Sequence, residues 1–215
     1  MVKIIPIAEN ISTLRQVRDK FNLILAADDH FFNEWFEGLP EITDREKETL
    51  DRIKRRYHYH REDGLLAEGA VNLVVLSPLL ELAGFYDFPF KISAEPTVQI
   101  AVEDRDEIYR GRIDVLVLQD QFWILVVESK RTNFNVDIAI PQALTYMMAN
   151  PNPDKPTFGM VTNGSYFMFI KLVKGNFPEY ALSDDFSLYR RRNELYDVLR
   201  VLKQIGEAIA HSRSG

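Results

Sequence analysis

The sequence predicts an α/β domain, a mixed central sheet flanked by helices in the order αβββαβ, with a helical extension before it. Three observations carry that prediction. Residues 112–118 and 122–130 are apolar, β-branched runs separated by the polar Gln119-Asp120-Gln121, which reads as a hairpin. Residues 65–83 and 137–149 carry helical patterning on either side of the strands. Asn163-Gly164 joins residues 158–162 to 166–173, and that dipeptide between two apolar runs is a strong hairpin signal.

The elements follow in order. Residues 12–27 place Leu14, Val17, Phe21 and Ile24 on one helical face, with Ser12 or Thr13 as cap. Residues 28–40 are aromatic and irregular. Thr43-Asp44-Arg45-Glu46 is a capping box that launches a helix through Leu50, Ile53 and Tyr57. Residues 65–83 read as one buried helix, kinked or divided at Pro78 and stopped by Gly84. Strands follow near 97–102, 112–118 and 122–130. The helix at 137–149 has Pro141 in its first turn and ends at Asn150-Pro151-Asn152-Pro153. A last amphipathic helix carries Leu195, Val198, Leu202, Ile205 and Ile209. The division expected is a helical extension over residues 1–62, packed on a domain of residues 63–215.

Composition narrows the class. The chain has 215 residues, of which 46% are hydrophobic, so it can bury one substantial core. The absence of cysteine excludes disulfides and thiolate metal sites. Together with the lack of a signal peptide, it sets a cytoplasmic expectation. The most apolar stretch, residues 65–83, is interrupted by Glu68, Asn72, Pro78 and Glu81, which argues against a membrane span. No GxxxxGK[ST] phosphate loop occurs, so nothing points to an ATP-driven motor.

The chemistry concentrates on the hairpin. A regular three-residue turn sets Leu118 opposite Phe122 and Asp114 opposite Val126. Asp114, Glu128 and Lys130 then project from one face, since side chains alternate with period two. Asp114 and Glu128 become diagonal neighbours about 7–8 Å apart, within reach of one bridging cation. Charges on greasy strands cost free energy unless paired or metal-bound. A structural ion pair, or strand ends emerging into solvent, would also satisfy this pattern. Glu68 stands among apolar residues at a helix start, where it suits the helix dipole as well as a site, and Asn72 lies one turn on and could orient it. Gln142 and Tyr146 share a helical face at i and i+4, a spacing common by chance.

Ile113-Asp114 followed by Glu128-Ser129-Lys130 resembles the PD-(D/E)xK nucleases, with Ile113 in place of the family's frequent Pro. Three further elements sharpen the resemblance: Glu68 with Pro78-Leu79-Leu80 and Leu82-Ala83-Gly84, the Gln142-to-Tyr146 pattern after the ExK strand, and Thr162-Asn163-Gly164. Together they resemble the N-terminal nuclease domain of type I restriction enzyme R subunits. The likeness covers about residues 65–173 and implies a restriction-endonuclease-like αβββαβ core. It further implies that Asp114, Glu128 and the Ser129 carbonyl hold Mg²⁺, which Mn²⁺ could replace. Glu68 would act through water or a second metal, and Lys130 would orient and help deprotonate the attacking water. Gln142 and Tyr146 would touch DNA near the site.

The net charge of −6 runs against a nucleic-acid protein, but distribution matters more than the sum. Arg52, Lys54, Arg55, Arg56, His58, His60 and Arg61 crowd one segment, and Arg190-Arg191-Arg192 forms another. Each reads either as a solvated helix end or as a phosphate contact, with Arg55 and Arg56 the candidates for DNA binding. For His58 and His60, surface or DNA contact is preferred over a metal site. The expectation is a Mg²⁺-dependent deoxyribonuclease without a motor. Its partners would be DNA, specificity or motor subunits encoded elsewhere, or a second copy of the chain. The rival is a nucleic-acid-binding or interaction module of the same fold without turnover.

Overall fold

The computed structural model describes residues 3–102, 107–119, 122–133, 135–153 and 155–210. Its elements are β1 (Lys3–Pro6), α1 (Ile7–Asn10), α2 (Leu14–Phe21), β2 (Ile24–Leu25), α3 (Asp44–Glu62), α4 (Glu68–Val71), α5 (Ser77–Leu82), β3 (Phe90–Ala94), β4 (Thr97–Val102), β5 (Glu107–Arg112), β6 (Val115–Gln119), β7 (Phe122–Ser129), α6 (Ile140–Met148), β8 (Thr157–Thr162), β9 (Tyr166–Val173), β10 (Glu179–Leu182), β11 (Phe186–Ser187) and α7 (Leu195–Ala210). The main sheet runs β2-β10-β9-β8-β7-β6-β3, with β11 also on β9. It is mixed, because β7 pairs with β8 in parallel while β6–β7 and β8–β9 are antiparallel. Its α/β class and its flanking helices match the expectation.

Both faces are covered. Phe158 and Met160 of β8 and Val127 of β7 point into a core closed by α3, α5 and α7. Val161 of β8 and Leu116 of β6 point the other way, into a core closed by α2 and α6. Every residue of β8 is buried, as a strand between two helical layers should be. Glu128 follows Val127, so it and Lys130 belong to the α6 side.

Several elements depart from the sequence reading, each for a local reason. The helix begun by Thr13 ends at Phe21, because Asn22 adopts the left-handed conformation (φ 51°) and closes it. Leu23 is then buried, and Ile24 and Leu25 pair with β10. The first 62 residues are thus not purely helical: β1 also joins β5 in parallel. The helix at 65–83 is divided ahead of Pro78 by a π turn at Asn72–Leu76, in which the Ser77 N–H donates to the Asn72 carbonyl. The wide turn accommodates a proline ring that a tight α turn would crowd. Gly84 ends the run at φ 82°, as expected.

The strands show the largest difference. Two long antiparallel strands bend together, β3 into β4 and β5 into β6. Their outer halves leave the main sheet and join β1 in a three-stranded sheet ordered β1-β5-β4. At the bend Glu95 takes φ 53° and donates its N–H to the Asp114 carbonyl at 3.0 Å, while Ile113 donates to the Pro96 carbonyl at 3.1 Å. The register also differs. Leu118 pairs with Trp123, an irregularity follows at Val117/Leu118, and Val115 pairs with Val127. Asp114, which immediately precedes β6, therefore stands level with Glu128 and not opposite Val126. Of the expected turn, Asp120 and Gln121 lie outside the described residues. Among the described residues no helix is long and apolar enough to cross a membrane.

Candidate active site

The bend between the two sheets places the first carboxylate. Ile113 is fully buried and anchors the bend, so Asp114 is held at the edge of the main sheet beside the end of β7. Its Oδ2 accepts two hydrogen bonds from Ser129, from the N–H at 2.6 Å and from Oγ at 3.0 Å. Ser129 is itself buried, so this clamp is rigid. Glu128, one residue earlier, is 1% exposed. The Lys130 Nζ donates to Glu128 Oε1, while Oε2 is buried with no hydrogen-bond partner. The Lys130 N–H donates to the Thr162 carbonyl at 2.8 Å, which fixes the end of β7 against the β8–β9 turn.

The titration behaviour follows from this crowding. Burial, and then the charge of Asp114, pushes the Glu128 carboxyl up to about 8. Burial also raises Asp114, against the lowering effect of the Ser129 hydrogen bonds. Glu68, the exposed first residue of α4, is raised by partial desolvation and by Asp114. Burial alone would lower Lys130, but Glu128, Asp114 and Glu68 together hold it above the ordinary lysine range. Three acids that resist ionisation around one retained cation mark a site short of positive charge.

The remaining residues are placed unequally. Glu68, Lys130, Arg131 and Gln142 line one cleft of about 370 Å³, closed on its far wall by Ala8, Ile11 and Ser12. Tyr146 does not reach that cleft. It is 1% exposed, with its ring against the backbone of Gly111, where a Cβ would stand 2.5 Å from Tyr146 Cε1. Gln142 Nε2 donates to the Tyr146 hydroxyl at 2.8 Å, and the Arg112 N–H donates to the same oxygen. Tyr146 thus positions Gln142, and any contact it makes with a ligand passes through that amide. Asn72 does not hydrogen-bond Glu68; its amide oxygen is buried without a partner at the start of the π turn. Arg55 and Arg56 are exposed on α3, about 100° apart around the helix, and make no ion pair among the described residues.

Two features escaped the sequence reading. Glu95 raises both Asp114 and Glu68, and it forms a 3.3 Å surface ion pair with Arg112. Only the bend brings it near, and no local pattern announces a bend. Gly111 was legible as a glycine in a strand, a known sign of close approach, but not as the seat of Tyr146.

The donor set suits a hard cation: carboxylate oxygens, with Glu128 Oε2 unpartnered and no hydrogen bond to Asp114 Oδ1 among the described residues. Among those residues no three Asp, Glu or His side chains converge closely enough to form a ligand cluster; Glu68 is linked to Asp114 through its charge.

The family model for the type I restriction enzyme R protein N terminus matches residues 31–176, a span that contains every one of these groups except Ala8, Ile11 and Ser12. Among solved structures, the chain is similar to a fragment described as a candidate HsdR subunit of a type I restriction enzyme from Vibrio vulnificus YJ016. The identity is 23% and the TM-score 0.40, over 66% of this chain and 26% of that one. The chain thus spans about a quarter of that structure's length. No curated protein matches it.

Proposed function

Because this chain belongs to the family of type I restriction enzyme R protein N termini, we propose that it is a Mg²⁺-dependent deoxyribonuclease of the PD-(D/E)xK type. The observation that carries this reading is the level placement of Asp114 and Glu128 across β6 and β7, with Lys130 bound to the second acid and itself lining a cleft beside Glu68. A structural ion pair needs one acid for one lysine. Here several acids surround a single cation, and one buried carboxylate oxygen is left without a partner.

Asp114, Glu128 and the Ser129 carbonyl would hold Mg²⁺, or Mn²⁺ in its place, with Glu68 acting through water. When bound, such an ion acidifies water and offsets charge on the phosphate. The protein's own groups supply orientation and field. Ser129 locks Asp114 Oδ2, while Oδ1 accepts no hydrogen bond among the described residues and would be the oxygen open to a cation. Lys130 stays protonated beside Glu128, so its part is to direct the attacking water and to stabilise charge on the equatorial phosphate oxygens. Gln142, which lines the cleft and is held by Tyr146, would donate to a neighbouring phosphate. In-line attack would leave a 5′-phosphate. Specificity and motor subunits would direct the nuclease to its substrate.

The absence of a three-carboxylate cluster among the described residues favours a second reading, a DNA-binding module of the same fold without turnover. Supercoiled plasmid, incubated with Mg²⁺, Mn²⁺ or EDTA, separates the two. The nuclease reading expects metal-dependent nicking by the wild type and none by Asp114→Asn. Nicking by both proteins, or by neither, would reject it.

A further inference from the structure

We propose that a surface running from the catalytic cleft over Tyr166 and Tyr189 to one flank of α3 binds unpaired single-stranded nucleic acid. It rests on the nuclease reading only for its substrate class. The two basic clusters, distant in sequence, meet in space: the Lys54 Nζ donates to the carbonyls of Arg190 at 2.8 Å and Arg192 at 3.4 Å. Leu188, 1% exposed, pins the loop from below, so Tyr189 and Arg190 are held outward and not left to wander.

Helical spacing decides which residues of α3 share this surface. Asp51 bonds Asn193 and Tyr196, and Lys54 bonds the loop carbonyls, so the flank carrying Asp51, Lys54, Arg55 and His58 faces residues 189–196. Arg56 lies on the other flank. Arg192 is ion-paired with Asp197, whereas Arg55, Arg190 and Arg191 are exposed and make no ion pair among the described residues. Their charge is available to a polyanion.

The aromatic groups form a row beside these cations. The rings of His58 and Tyr189 are 5.9 Å apart, and those of Tyr189 and Tyr166 are 6.0 Å apart. Tyr189 is 55% and Tyr166 37% exposed, so each presents apolar ring to solvent. Interleaved cations and exposed rings are what a single strand requires, since every unpaired base has a face to stack and a phosphate to neutralise. A duplex hides those faces.

The row is continuous with the site. Tyr166 walls a cleft of about 520 Å³ together with Thr132, Asn133 and Asn163. Thr132 follows Arg131 of the catalytic cleft, and its N–H donates to the Leu66 carbonyl at 3.2 Å, two residues before Glu68. Asp137 and Asp185 also line this second cleft and repel phosphate. The backbone of the strand therefore follows the arginine side, and its bases turn toward the tyrosines.

Fluorescence anisotropy with a labelled oligothymidylate, in EDTA so that no turnover is needed, tests this. The wild type should bind the oligothymidylate more tightly than a blunt duplex of equal length. Tyr189→Ala should weaken that binding by roughly five- to a hundredfold, the loss of one stacked base. Tyr189→Phe, which keeps the ring, should bind as the wild type and exclude misfolding as the cause. Arg190→Ser should reduce the slope of log affinity against log salt by about 0.7. Arg45→Ser, at the far end of α3, should change neither. Unaltered binding by Tyr189→Ala, duplex bound as tightly as single strand, or displacement of the oligonucleotide by polyglutamate would overturn the proposal, the last by assigning the surface to an acidic protein. Plasmid nicking is scored separately, so either reading can fail while the other stands.

Discussion

In the absence of divalent metal this protein should become less stable as pH rises from 5 to 8, the reverse of ordinary acid denaturation. The Glu128 carboxyl titrates near 4.5 when unfolded and near 8 when folded. Between those values the native state holds a proton that the unfolded state has released. Its contribution to stability is whole below 4.5 and is lost as pH passes through 8. The slope is about 1.4 kcal/mol per pH unit, and the whole window is worth on the order of 5 kcal/mol. Asp114 and Glu68 are raised as well and act with the same sign, while raised Lys130 keeps its contribution until the pH is well above this window. Glu46, whose carboxyl is lowered although burial opposes it, acts only as pH falls toward its unfolded value, below the range tested. Urea titrations in EDTA at several pH values, followed by Trp35 and Trp123 fluorescence, would measure this directly. Ca²⁺ should stabilise more at pH 8 than at pH 5, because near pH 8 the Glu128 carboxyl is giving up the proton with which a cation must compete. At a hundred times the dissociation constant the gain is about 2.7 kcal/mol. Midpoints that stay flat or climb from pH 5 to 8 would refute the charge-starved site. An equal Ca²⁺ response in Asp114→Asn would refute Asp114 as a ligand.

Other perturbations separate position from chemistry. Lys130→Ala should retain Ca²⁺-dependent stabilisation but lose cleavage, since lysine donates no metal ligand; melts and nicking on the same preparation decide it. Gly111→Ala should cost roughly 1–3 kcal/mol by overpacking against Tyr146, and it should lower activity by displacing Gln142, both seen in paired denaturation and rate measurements. Tyr146→Phe should cost about 1 kcal/mol through the lost hydroxyl contacts, whereas Gln142→Ala, which removes only one of them, should cost less and weaken DNA binding, as denaturation and anisotropy would show.

Local signals were legible and long-range geometry was not. Thr43 and Glu46 form the capping box that their spacing announced, and Thr13 caps α2. Asn163-Gly164 turns β8 into β9, with Gly164 at φ 86°. The pairing of β1 with β5 and of β2 with β10 joins residues about a hundred or more positions apart, and no window of sequence records it. Gln119 pairs with Phe122, so the turn is one residue shorter than expected, and the bulge at Val117/Leu118 adds a second one-residue shift; together they bring Asp114 level with Glu128. An extra residue in one strand leaves alternation intact on each side, so the pattern reads as regular. Asn72 looked like a partner for Glu68 at α spacing, and that spacing is kept, since the Asn72 N–H donates to the Glu68 carbonyl; yet Glu68 is exposed and the Asn72 amide oxygen is buried without a partner, so a shared helical face did not become a contact. The shared face of Asp114, Glu128 and Lys130 survived the register change, because a shift of two residues preserves the side.

The central claim is that Asp114 and Lys130 belong to one catalytic unit, and a double-mutant cycle on single-turnover cleavage tests it most directly. Rates would be measured at saturating DNA and Mg²⁺ for the wild type, Asp114→Asn, Lys130→Ala and the double variant. Groups that act together should each abolish most of the rate alone, with the double variant no slower than the slower single one. Losses that multiply in the double variant, or a wild-type rate in either single variant, would contradict the account.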